Sequence, residues 1–358
     1  MDTLPATARS IGSNWGVDGK NLERAYKDHL SGYRSWDQLG HASEWVLHAR
    51  NCGIRLSIDE TSLSDDLFTI LSNKDGHGGK GTIVAMVRGT KSSDVIKILM
   101  QLPEEKRLAV TEVTMDFSDS MYAIVRKVFP NATIIIDCFH IIKRCTEAVE
   151  EIRLRDKREA IKEQKKQKAD FKKKLERRVK ARKAYRKKHP KKYKGKKRGR
   201  KPMRLNEKFI PEELANGDTK VELLTRSRCL LMKSGDKWSD SQKIRAKLLF
   251  ELHPKIKEAH SLINSLRSIF RNKDLTKETA KTKLHEWYQK VSDSTLREIK
   301  AARDTIKSKE EEVLNYFLNR STNASAESLN SKLKLFRAQL HGVSDLPFFL
   351  YRVSVIFG

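Results

Sequence analysis

The sequence predicts an α/β protein in which a mixed β-sheet is flanked by helices and interrupted by a large, basic, all-helical insertion. The sheet is predicted by short β-rich runs that alternate with helical periodicity between Ile54 and Ile136. The insertion is predicted by two observations. Apolar residues recur every three or four positions from about Thr219 to Asn319, and the segment from Arg153 to Arg204 holds most of the net positive charge.

Residues 1–52 are predicted to form a helical N-terminal segment. Apolar spacing indicates two short helices, Gly19–Leu30 and Ser35–Arg50, with a break at Ser31–Gly32. The pair fits part of a DNA-binding helix-turn-helix and equally a helical pair that packs on the next domain. No recognition helix is spelled out by these residues, so both interpretations stay open.

The predicted strands and helices of the sheet follow in chain order after Cys52. They are the strands Ile54–Ile58, Leu67–Leu71 and Gly81–Val87, the helix Ser92–Leu102, the strand Ala109–Met115, the helix Met121–Phe129 and the strand Ala132–Ile136. The glycine-rich stretch Asp75–Gly81 lacks the GxxxxGK[ST] spacing of a phosphate loop and precedes a strand. We therefore predict a hairpin turn there.

Composition restricts the class of protein. The 358 residues carry a formal net charge of +28, and 38% of them are hydrophobic. That fraction is adequate for a packed core, and no apolar run approaches the roughly 20 residues that span a bilayer. The four cysteines form no Cys-x-x-Cys pair, which argues against a zinc ribbon. So few cysteines in a chain of this length also argue against a disulfide scaffold. We expect a cytoplasmic protein with no membrane segment.

Most of the positive charge lies in one segment. From Arg153 to Arg204 there are 28 Lys and Arg residues against five Asp and Glu, a net charge of +23. The part up to about Arg186 has no Gly or Pro and predicts a long exposed helix, whereas the stretch that follows, through Pro202, predicts a flexible basic loop. Such a concentration of positive charge indicates a polyanion, and so nucleic acid, as the partner. A membrane surface is the weaker alternative, because the helix lacks the apolar face that membrane binding requires. The candidate DNA-binding residues are Lys172, Lys173, Lys174, Arg177, Arg178, Lys187, Lys188, Lys191, Lys192, Lys196, Lys197, Arg198, Arg200 and Lys201.

Two aspartates stand at the predicted ends of buried strands. Asp59 follows Leu56-Ser-Ile58, and Asp116 follows Val113-Thr-Met115. A carboxylate in such a place costs desolvation unless it meets a cation, a helix N-terminus or a metal. If the two strands are neighbours, both acids converge at one edge and offer the oxygen ligands that Mg²⁺ prefers. The alternative, that each is a turn or capping residue, is equally consistent with the residues alone.

Three further polar features accompany this pair. Glu327 lies on a predicted amphipathic helix, away from its apolar residues Ala326, Leu329 and Leu333, and shares a face with Asn330 and Lys334. By pattern alone, an exposed helical Glu is most often simply solvated. Asp137 and His140 form the segment Asp-Cys-Phe-His after the last predicted strand, where a lone His is more often a structural hydrogen-bonding group than a metal ligand.

Four sequence blocks, taken in order, resemble a known family. They are Ser57-Ile-Asp-Glu-Thr61, the run from Asp116 to Ala132 that contains Asp-Phe-Ser-Asp-Ser-Met-Tyr and Phe-Pro-Asn-Ala, Asp137-Cys-Phe-His140, and Thr322 to Arg337 with its N-x-x-x-E-x-x-N-x-x-x-K pattern. Together they resemble the DDE transposases of bacterial insertion sequences of the ISL-three type, over roughly residues 53–358. The resemblance implies an RNase H-like catalytic core and the Asp-x-x-His signature shared with Mutator-like transposases.

The resemblance also implies the site and its chemistry. Asp59, Asp116 and Glu327 would be the catalytic triad and would hold two Mg²⁺ ions, for which Mn²⁺ substitutes. Asp119 is a rival to Asp116 for the second position. The accessory residues would be Asp137, His140, Asn323, Asn330 and Lys334. The activity implied is cleavage of double-stranded DNA at the element ends and strand transfer into target DNA, in the bacterial cytoplasm and in association with the nucleoid.

The domain organisation implied is a split core. Its first part would be residues 53–150 and its final helices residues 319–358, around a basic helical insertion at 151–318. Fuller members carry an N-terminal zinc ribbon and helix-turn-helix, whereas only about 52 residues precede this core and they hold no zinc-binding cysteine pattern. The chain resembles the ISAon-type subgroup, in which the product of an upstream reading frame supplies that region. That product and further copies of the chain on DNA are the partners expected.

Two rival functions remain from sequence. One is a non-catalytic, basic DNA-binding protein or a decayed transposase relic, although all three candidate triad residues are present. The other is a nuclease that hydrolyses DNA without strand transfer, since its first chemical step is the same.

Overall fold

The computed structural model describes residues 6–63, 66–190, 207–340 and 342–358. It divides the chain into two compact units. The first contains Met1–Lys143, Ile269–His285 and Thr305–Gly358, and the second contains Arg144–Ser268 and Glu286–Asp304. The divisions therefore fall several residues before the expected boundary at 150, and residues 269–285 and 305–318 of the expected insertion lie with the first unit.

The first unit is built on one sheet of six described strands. They are β1 (Trp45–Leu47), β2 (Arg55–Leu63), β3 (Asp66–Asn73), β4 (Ile83–Arg88), β5 (Glu112–Met115) and β6 (Thr133–Ile136). Their spatial order is β1-β4-β3-β2-β5-β6. Neighbours are antiparallel from β1 to β2, while β2, β5 and β6 are parallel. The mixed sheet and the hairpin turn between β3 and β4 confirm the prediction.

The N-terminal segment differs from the prediction. Helices α1 (Ala8–Trp15) and α2 (Gly19–Ala25) form, and α2 runs into a short π-helical turn at Tyr26–Leu30. The predicted helix over Ser35–Arg50 is wrong, because this stretch holds short turns and β1. Trp45 and Val46 are strand-favouring residues that pair with the edge of β4, and this tertiary pairing overrides a weak helical pattern.

Helices cover both faces of the sheet. On one face, α3 (Ser92–Leu99) and α5 (Asp119–Val128) enclose a core with Leu56, Ile58 and Val113, and the short α4 (Glu104–Ala109) precedes β5. On the other face, α15 (Ala324–Gln339) and α16 (Leu346–Phe357) pack against Phe68, Ile70 and Met86. The result is a three-layer α/β/α arrangement, and the prediction of a mixed sheet flanked by helices is confirmed.

A single long helix follows β6. Helix α6 spans Cys138–Lys188, or 51 residues, which corresponds to about 77 Å at 1.5 Å per residue. The predicted exposed helix up to Arg186 is confirmed, although it begins before the charged segment, at the first turn after β6. The predicted basic loop lies almost wholly at residues 191–206, outside the described residues.

The predicted helical region is also confirmed. It contains α7 (Lys220–Arg226), α8 (Arg228–Leu231), α9 (Asp240–Leu252), α10 (Pro254–Arg271), α11 (Lys277–Asp293), α12 (Arg297–Ser308), α13 (Glu310–Leu314) and α14 (Tyr316–Asn319). In the second unit, Ile256, Ile263 and Trp287 are buried, and Trp287 Nε1 donates to the Leu262 carbonyl at 2.8 Å. Within the described chain, none of the helices has both the length and the apolar character of a bilayer span.

Candidate active site

Three aspartates occupy equivalent positions on the three parallel strands. The pairing of β2 with β5 reaches Ser57 and Thr114, and that of β5 with β6 reaches Met115 and Ile136. Continuing the same register places Asp59 beside Asp116, and Asp116 beside Asp137. Neighbouring strands lie about 4.8 Å apart, so the three carboxylates are brought together along one edge.

The alternation of side chains decides which face these acids take. Leu56, Ile58, Val113, Met115 and Ile134 all belong to the core beneath α3 and α5. Positions one residue further along point to the opposite face, because successive strand residues alternate. Asp59, Asp116 and Asp137 therefore face the side of the sheet on which α15 packs.

The position of Asp59 corrects one expectation. The sequence predicts that it follows a strand ending at Ile58, but β2 continues to Leu63 and Asp59 pairs with Ile70 of β3. Only its parallel pairing with β5 stops before Asp59. Asp116 and Asp137 do follow their strands directly, as predicted.

Helix α15 brings Glu327 and Asn330 to this edge. Its apolar residues Ala326, Leu329 and Leu333 are buried, as their spacing predicts. Asn330 is 8% exposed, and its Nδ2 donates to Asp59 Oδ2 at 2.7 Å. Glu327 lies in the first turn of α15 and is exposed. The amide of Asn330 therefore fixes Asp59 while the carboxylate of Glu327 stays open to solvent.

The electrostatics of the cluster are those of crowded, partly buried acids. Burial raises the pKa of Asp59, and the negative charges of Asp116 and Glu327 raise it further, while His140 acts in the opposite direction. Burial likewise raises the pKa of Asp137. Such a group of carboxylates is short of positive charge, which a bound cation would supply.

Asp116 and its rival Asp119 differ in environment. Asp116 Oδ1 is buried and has no hydrogen-bond donor among the described residues. The Asp119 side chain is 92% exposed and pairs with Lys309 Nζ at 2.7 Å. Of the two, Asp116 is the one beside Asp59 that has an unsatisfied buried oxygen.

A second grouping includes the Asp-x-x-His segment. One ligand atom from each of Asp137, His140 and Glu327 lies within 4.8 Å of the other two. His140 belongs to the first turn of α6, three residues after Asp137. The structure therefore brings the two residues expected to be accessory into direct proximity with Glu327, a closeness that sequence reasoning missed.

The donor set fits divalent metal ions. Carboxylate oxygens are ligands for Mg²⁺ and Mn²⁺, and an imidazole nitrogen adds a ligand for transition metals. The unpartnered Asp116 Oδ1 is the observation that favours a cation, since a buried carboxylate oxygen without a donor is costly. The residues that could hold metal are Asp59, Asp116, Asp137, His140 and Glu327.

The remaining accessory residues have different surroundings. Asn323 is fully buried, and its backbone N–H donates to the Asp137 carboxylate. Neither Oδ1 nor Nδ2 of Asn323 has a hydrogen-bond partner among the described residues. Lys334 is exposed on α15 and makes no described contact with the acids.

A buried ion pair holds the residues just before α15 in place. Lys74 Nζ donates to Glu112 Oε1 at 2.8 Å and to Thr114 Oγ1 at 2.7 Å, and Asn319 and Ser321 also donate to Glu112. Burial alone would raise the pKa of Glu112, but the hydrogen bonds from Lys74, Ser321 and Asn319 outweigh it and the pKa is lowered. This network fixes residues 319–321 just before α15, and no local sequence pattern indicates it.

The turn between β3 and β4 packs on the same helix. Lys332 Nζ donates to the Gly78 carbonyl at 2.5 Å. Gly78 has φ +73°, and a Cβ there would lie 3.1 Å from Ser328 Oγ. Only glycine combines this backbone conformation with such a close approach. The turn and the buried ion pair together set the position of the first half of α15.

The predicted DNA-binding side chains fall into two groups. Those on α6 are all exposed, and they are Lys172, Lys173, Lys174, Arg177, Arg178, Lys187 and Lys188. The others lie outside the described residues, and they are Lys191, Lys192, Lys196, Lys197, Arg198, Arg200 and Lys201.

The sheet order and its acids define the class of protein. A central strand flanked by an antiparallel hairpin on one side and two parallel strands on the other, with carboxylates at their common edge, is an RNase H-like core interrupted by a helical insertion. A family model named for the ISL3 (ISL-three) type of DDE transposase, and described as a transposase, matches residues 56–353. The chain therefore belongs to this transposase family. No curated protein and no solved structure matches it significantly.

Proposed function

We propose that this transposase cleaves DNA at the ends of an insertion sequence and transfers the freed strand into target DNA at one metal-dependent site. Membership of the family connects the chain with DNA transposition and DNA binding. The observation that supports the finer chemistry is geometric: Asp59 and Asp116 lie side by side in register, and Asn330, one turn after Glu327 on α15, donates to Asp59.

Each residue has a distinct role in this proposal. Asp59, Asp116 and Glu327 would hold two divalent ions, Mg²⁺ or Mn²⁺, which when bound would supply charge neutralisation at the scissile phosphate and activation of the attacking oxygen. Asn330 keeps Asp59 oriented through its 2.7 Å hydrogen bond. The half-buried edge of the sheet limits the water around the reacting groups.

Two displacements at phosphorus make up the reaction. In the first, the oxygen of water bonds to the phosphorus at the element end, and the bond to the 3′ oxygen breaks. One proton of the water passes to the leaving 3′ oxygen and the other is released to solvent, so that the products are a 3′-OH on the element and a 5′-phosphate on the flank. In the second, that 3′-OH attacks a target phosphodiester and displaces a target 3′-OH. No covalent intermediate on the protein is required.

The exposed basic residues of α6 supply affinity for DNA. Lys and Arg side chains that bind phosphates release counterions, so binding weakens steeply with salt and carries little sequence information. Joining two element ends calls for two or more chains on DNA. Sequence-specific reading of the ends is assigned in this proposal to the product of an upstream reading frame.

The test is cleavage of a labelled duplex that carries the element ends, with Mg²⁺, Mn²⁺ or EDTA. Wild type is compared with Glu327→Gln and with Glu278→Gln, a control in which another exposed Glu in the first turn of a helix is changed. We expect metal-dependent 3′-OH formation in wild type and the control and none in Glu327→Gln. Equal cleavage in Glu327→Gln would contradict the assignment.

Two other outcomes identify the rivals. DNA binding without cleavage in every metal, also after addition of the upstream reading frame's product, would indicate a DNA-binding relic. Cleavage without joined products would indicate a nuclease.

A further inference from the structure

We propose that Asp137, His140 and Glu327 form a metal site with mixed nitrogen and oxygen ligands, so that one of the two ion positions contains an imidazole and favours Mn²⁺ over Mg²⁺. The inference rests on the proposed function, because it shares Glu327 with the triad. It extends that function by giving the Asp-x-x-His segment a direct role as ligand.

The geometry is close to that of a bound ion. The three ligand atoms lie within 4.8 Å of one another. Three atoms that are no more than 4.8 Å apart all lie within about 2.8 Å of one central point. Each would therefore need to shift by about 0.7 Å at most to reach a bond length of about 2.1 Å, and the exposed side chain of Glu327 has room to move.

The three side chains are available as ligands. Among the described residues, none forms a hydrogen bond with the ring nitrogens of His140, whose ring packs edge-on against Phe139 with the two centroids 5.5 Å apart. No described donor meets the carboxylate of Glu327 either. A half-buried imidazole and a carboxylate that face each other without partners leave their lone pairs for another species.

The third ligand, Asp137, is held in place from outside. Its Oδ1 accepts from the Phe139 backbone N–H at 3.3 Å, and the Asn323 backbone N–H also donates to the carboxylate. Backbone donors of this kind orient a ligating carboxylate while one lone pair still points to the metal. Asp137 is 2% exposed, so its orientation is set by the fold and not by solvent.

An independent observation points to an occupant. The fully buried Asn323, which touches Asp137 through its backbone, has no partner for either polar atom of its side chain among the described residues. Asp116 Oδ1, beside Asp137 in register, is also buried without a donor. Buried polar atoms without partners on two segments that adjoin Asp137 are accounted for by an ion with its bound water next to that residue.

The ligand type predicts metal preference. Imidazole suits transition metals, whereas an all-oxygen set suits Mg²⁺. The two positions then differ, with Asp59 and Asp116 on the oxygen-only side and His140 on the other. Mn²⁺, which accepts both ligand types, is expected to occupy the His140 position more tightly than Mg²⁺.

The test uses the full chain without DNA and Mn²⁺ as the probe. Pulsed electron paramagnetic resonance detects coupling between bound Mn²⁺ and an imidazole nitrogen. We expect this coupling in wild type and in Asp116→Asn, and its loss in His140→Asn. Asp137→Asn should weaken Mn²⁺ affinity by at least about 10-fold. His285→Asn is the matched control, because His285 is another imidazole beside an acid, with its Nε2 3.0 Å from the carboxylate of Glu310. Circular dichroism verifies that each variant folds.

The outcomes separate this inference from the proposed function. Imidazole coupling that is absent in wild type, or that persists in His140→Asn, overturns the inference even if the same preparation cleaves DNA with Mg²⁺. Coupling that disappears in His140→Asn and is kept in His285→Asn supports it. If such coupling is found in a protein that cleaves no DNA with any metal, the metal site stands and the proposed transposition chemistry fails.

Discussion

The acidic edge of the sheet and the distal part of α6, residues 165–188, are opposites in charge, burial and the way they are held. Asp116 and Asp137 directly follow paired strands and Asp59 lies within one, and Asp137 and Asn330 are almost fully buried. The basic side chains of α6 are exposed along a helix whose ion pairs are loose, such as Arg178–Glu207 at 3.7 Å. In the first region, metal binding depends on where each ligand atom lies. In the second, affinity for DNA depends on the number of positive charges.

This difference separates chemistry from affinity. A metal ligand that is displaced by an ångström loses its function, so the edge is supported by register, by Asn330 and by the Lys74–Glu112 pair. Binding to phosphates tolerates a flexible side chain, because the attraction is long-range and screened. Substitutions in the two regions should therefore change different measured quantities.

The greatest change should be the loss of DNA cleavage in the variant Asp116→Asn. Loss of one metal ligand removes several kcal/mol of transition-state stabilisation, which corresponds to about 10³-fold in rate. Asp119→Asn, three residues away and exposed, should cleave as wild type does. Single-turnover cleavage at saturating DNA measures both. If Asp119→Asn is the inactive variant, the register argument for the second acid is wrong.

The next largest effect should be on the free energy of unfolding, which reports how firmly each region is held. Glu112→Gln leaves Lys74 buried without its counter-charge and should lower the free energy of unfolding by about 3 kcal/mol. Glu207→Gln removes the exposed partner of Arg178 and should change it by less than about 1 kcal/mol. Urea denaturation of the metal-free protein measures both. Equal effects of the two substitutions would remove the distinction between a rigid and a loosely held region.

A smaller effect is expected from the triple substitution of Lys172, Lys173 and Lys174 by Gln. Affinity for DNA should fall, and the slope of log affinity against log salt should decrease by about 0.9 for each phosphate that is no longer neutralised. Cleavage at saturating DNA should be unchanged. The control is the triple substitution of Lys273, Lys281 and Lys290, which are exposed outside α6. A loss of affinity as large in the control would mean that only total charge matters.

The smallest effect is a gain in stability from Asp59→Asn without metal. Burial raises the folded-state pKa of Asp59 above its unfolded value, so the ionised carboxylate destabilises the metal-free protein at pH 7. The substitution should raise the free energy of unfolding in EDTA by up to about 1 kcal/mol. The gain should shrink as the pH falls toward about 4, the ordinary pKa of an unfolded Asp, because protonation of the wild-type carboxylate removes the destabilising charge.

Thermal melts between pH 4 and 8, in EDTA and in Mn²⁺, measure this gain. With Mn²⁺ the order of stability should reverse, since wild type binds the ion and the variant binds it poorly. A variant that is less stable than wild type in EDTA at pH 7 would contradict the claim that the acids are short of positive charge.

Much of the fold follows from local patterns, and the elements that these patterns miss depend on tertiary pairing. The alternation in the strands and the spacing on α15 correctly predict β2 to β6 and the buried face of the helix. The polar stretch Asp59-Glu-Thr-Ser62 hides the second half of β2, which forms because β3 pairs with it. Likewise β1 forms because β4 offers a free edge, against the helical pattern of its own residues.

The candidate site is visible from sequence only in part. The strand-end positions of Asp116 and Asp137 could be predicted, because each directly follows an apolar run. The closeness of Glu327 to His140 could not, since it arises from the packing of α15 beside the start of α6 across a long stretch of chain. The burial of Glu112 and its pairing with Lys74 also have no local signal, because a charged residue in a strand and another in the turn after β3 look like surface charge in sequence.

Strand transfer from a pre-cleaved element end examines the metal-dependent joining step by itself. A labelled duplex with a free 3′-OH is mixed with supercoiled target DNA and Mg²⁺ or Mn²⁺, so that the first cleavage step is not needed. We expect joined products with wild type and with Asp119→Asn, and none with Asp116→Asn or in the presence of EDTA. Joining that survives in Asp116→Asn, or a wild type that cleaves the element end and never joins it, would contradict the account.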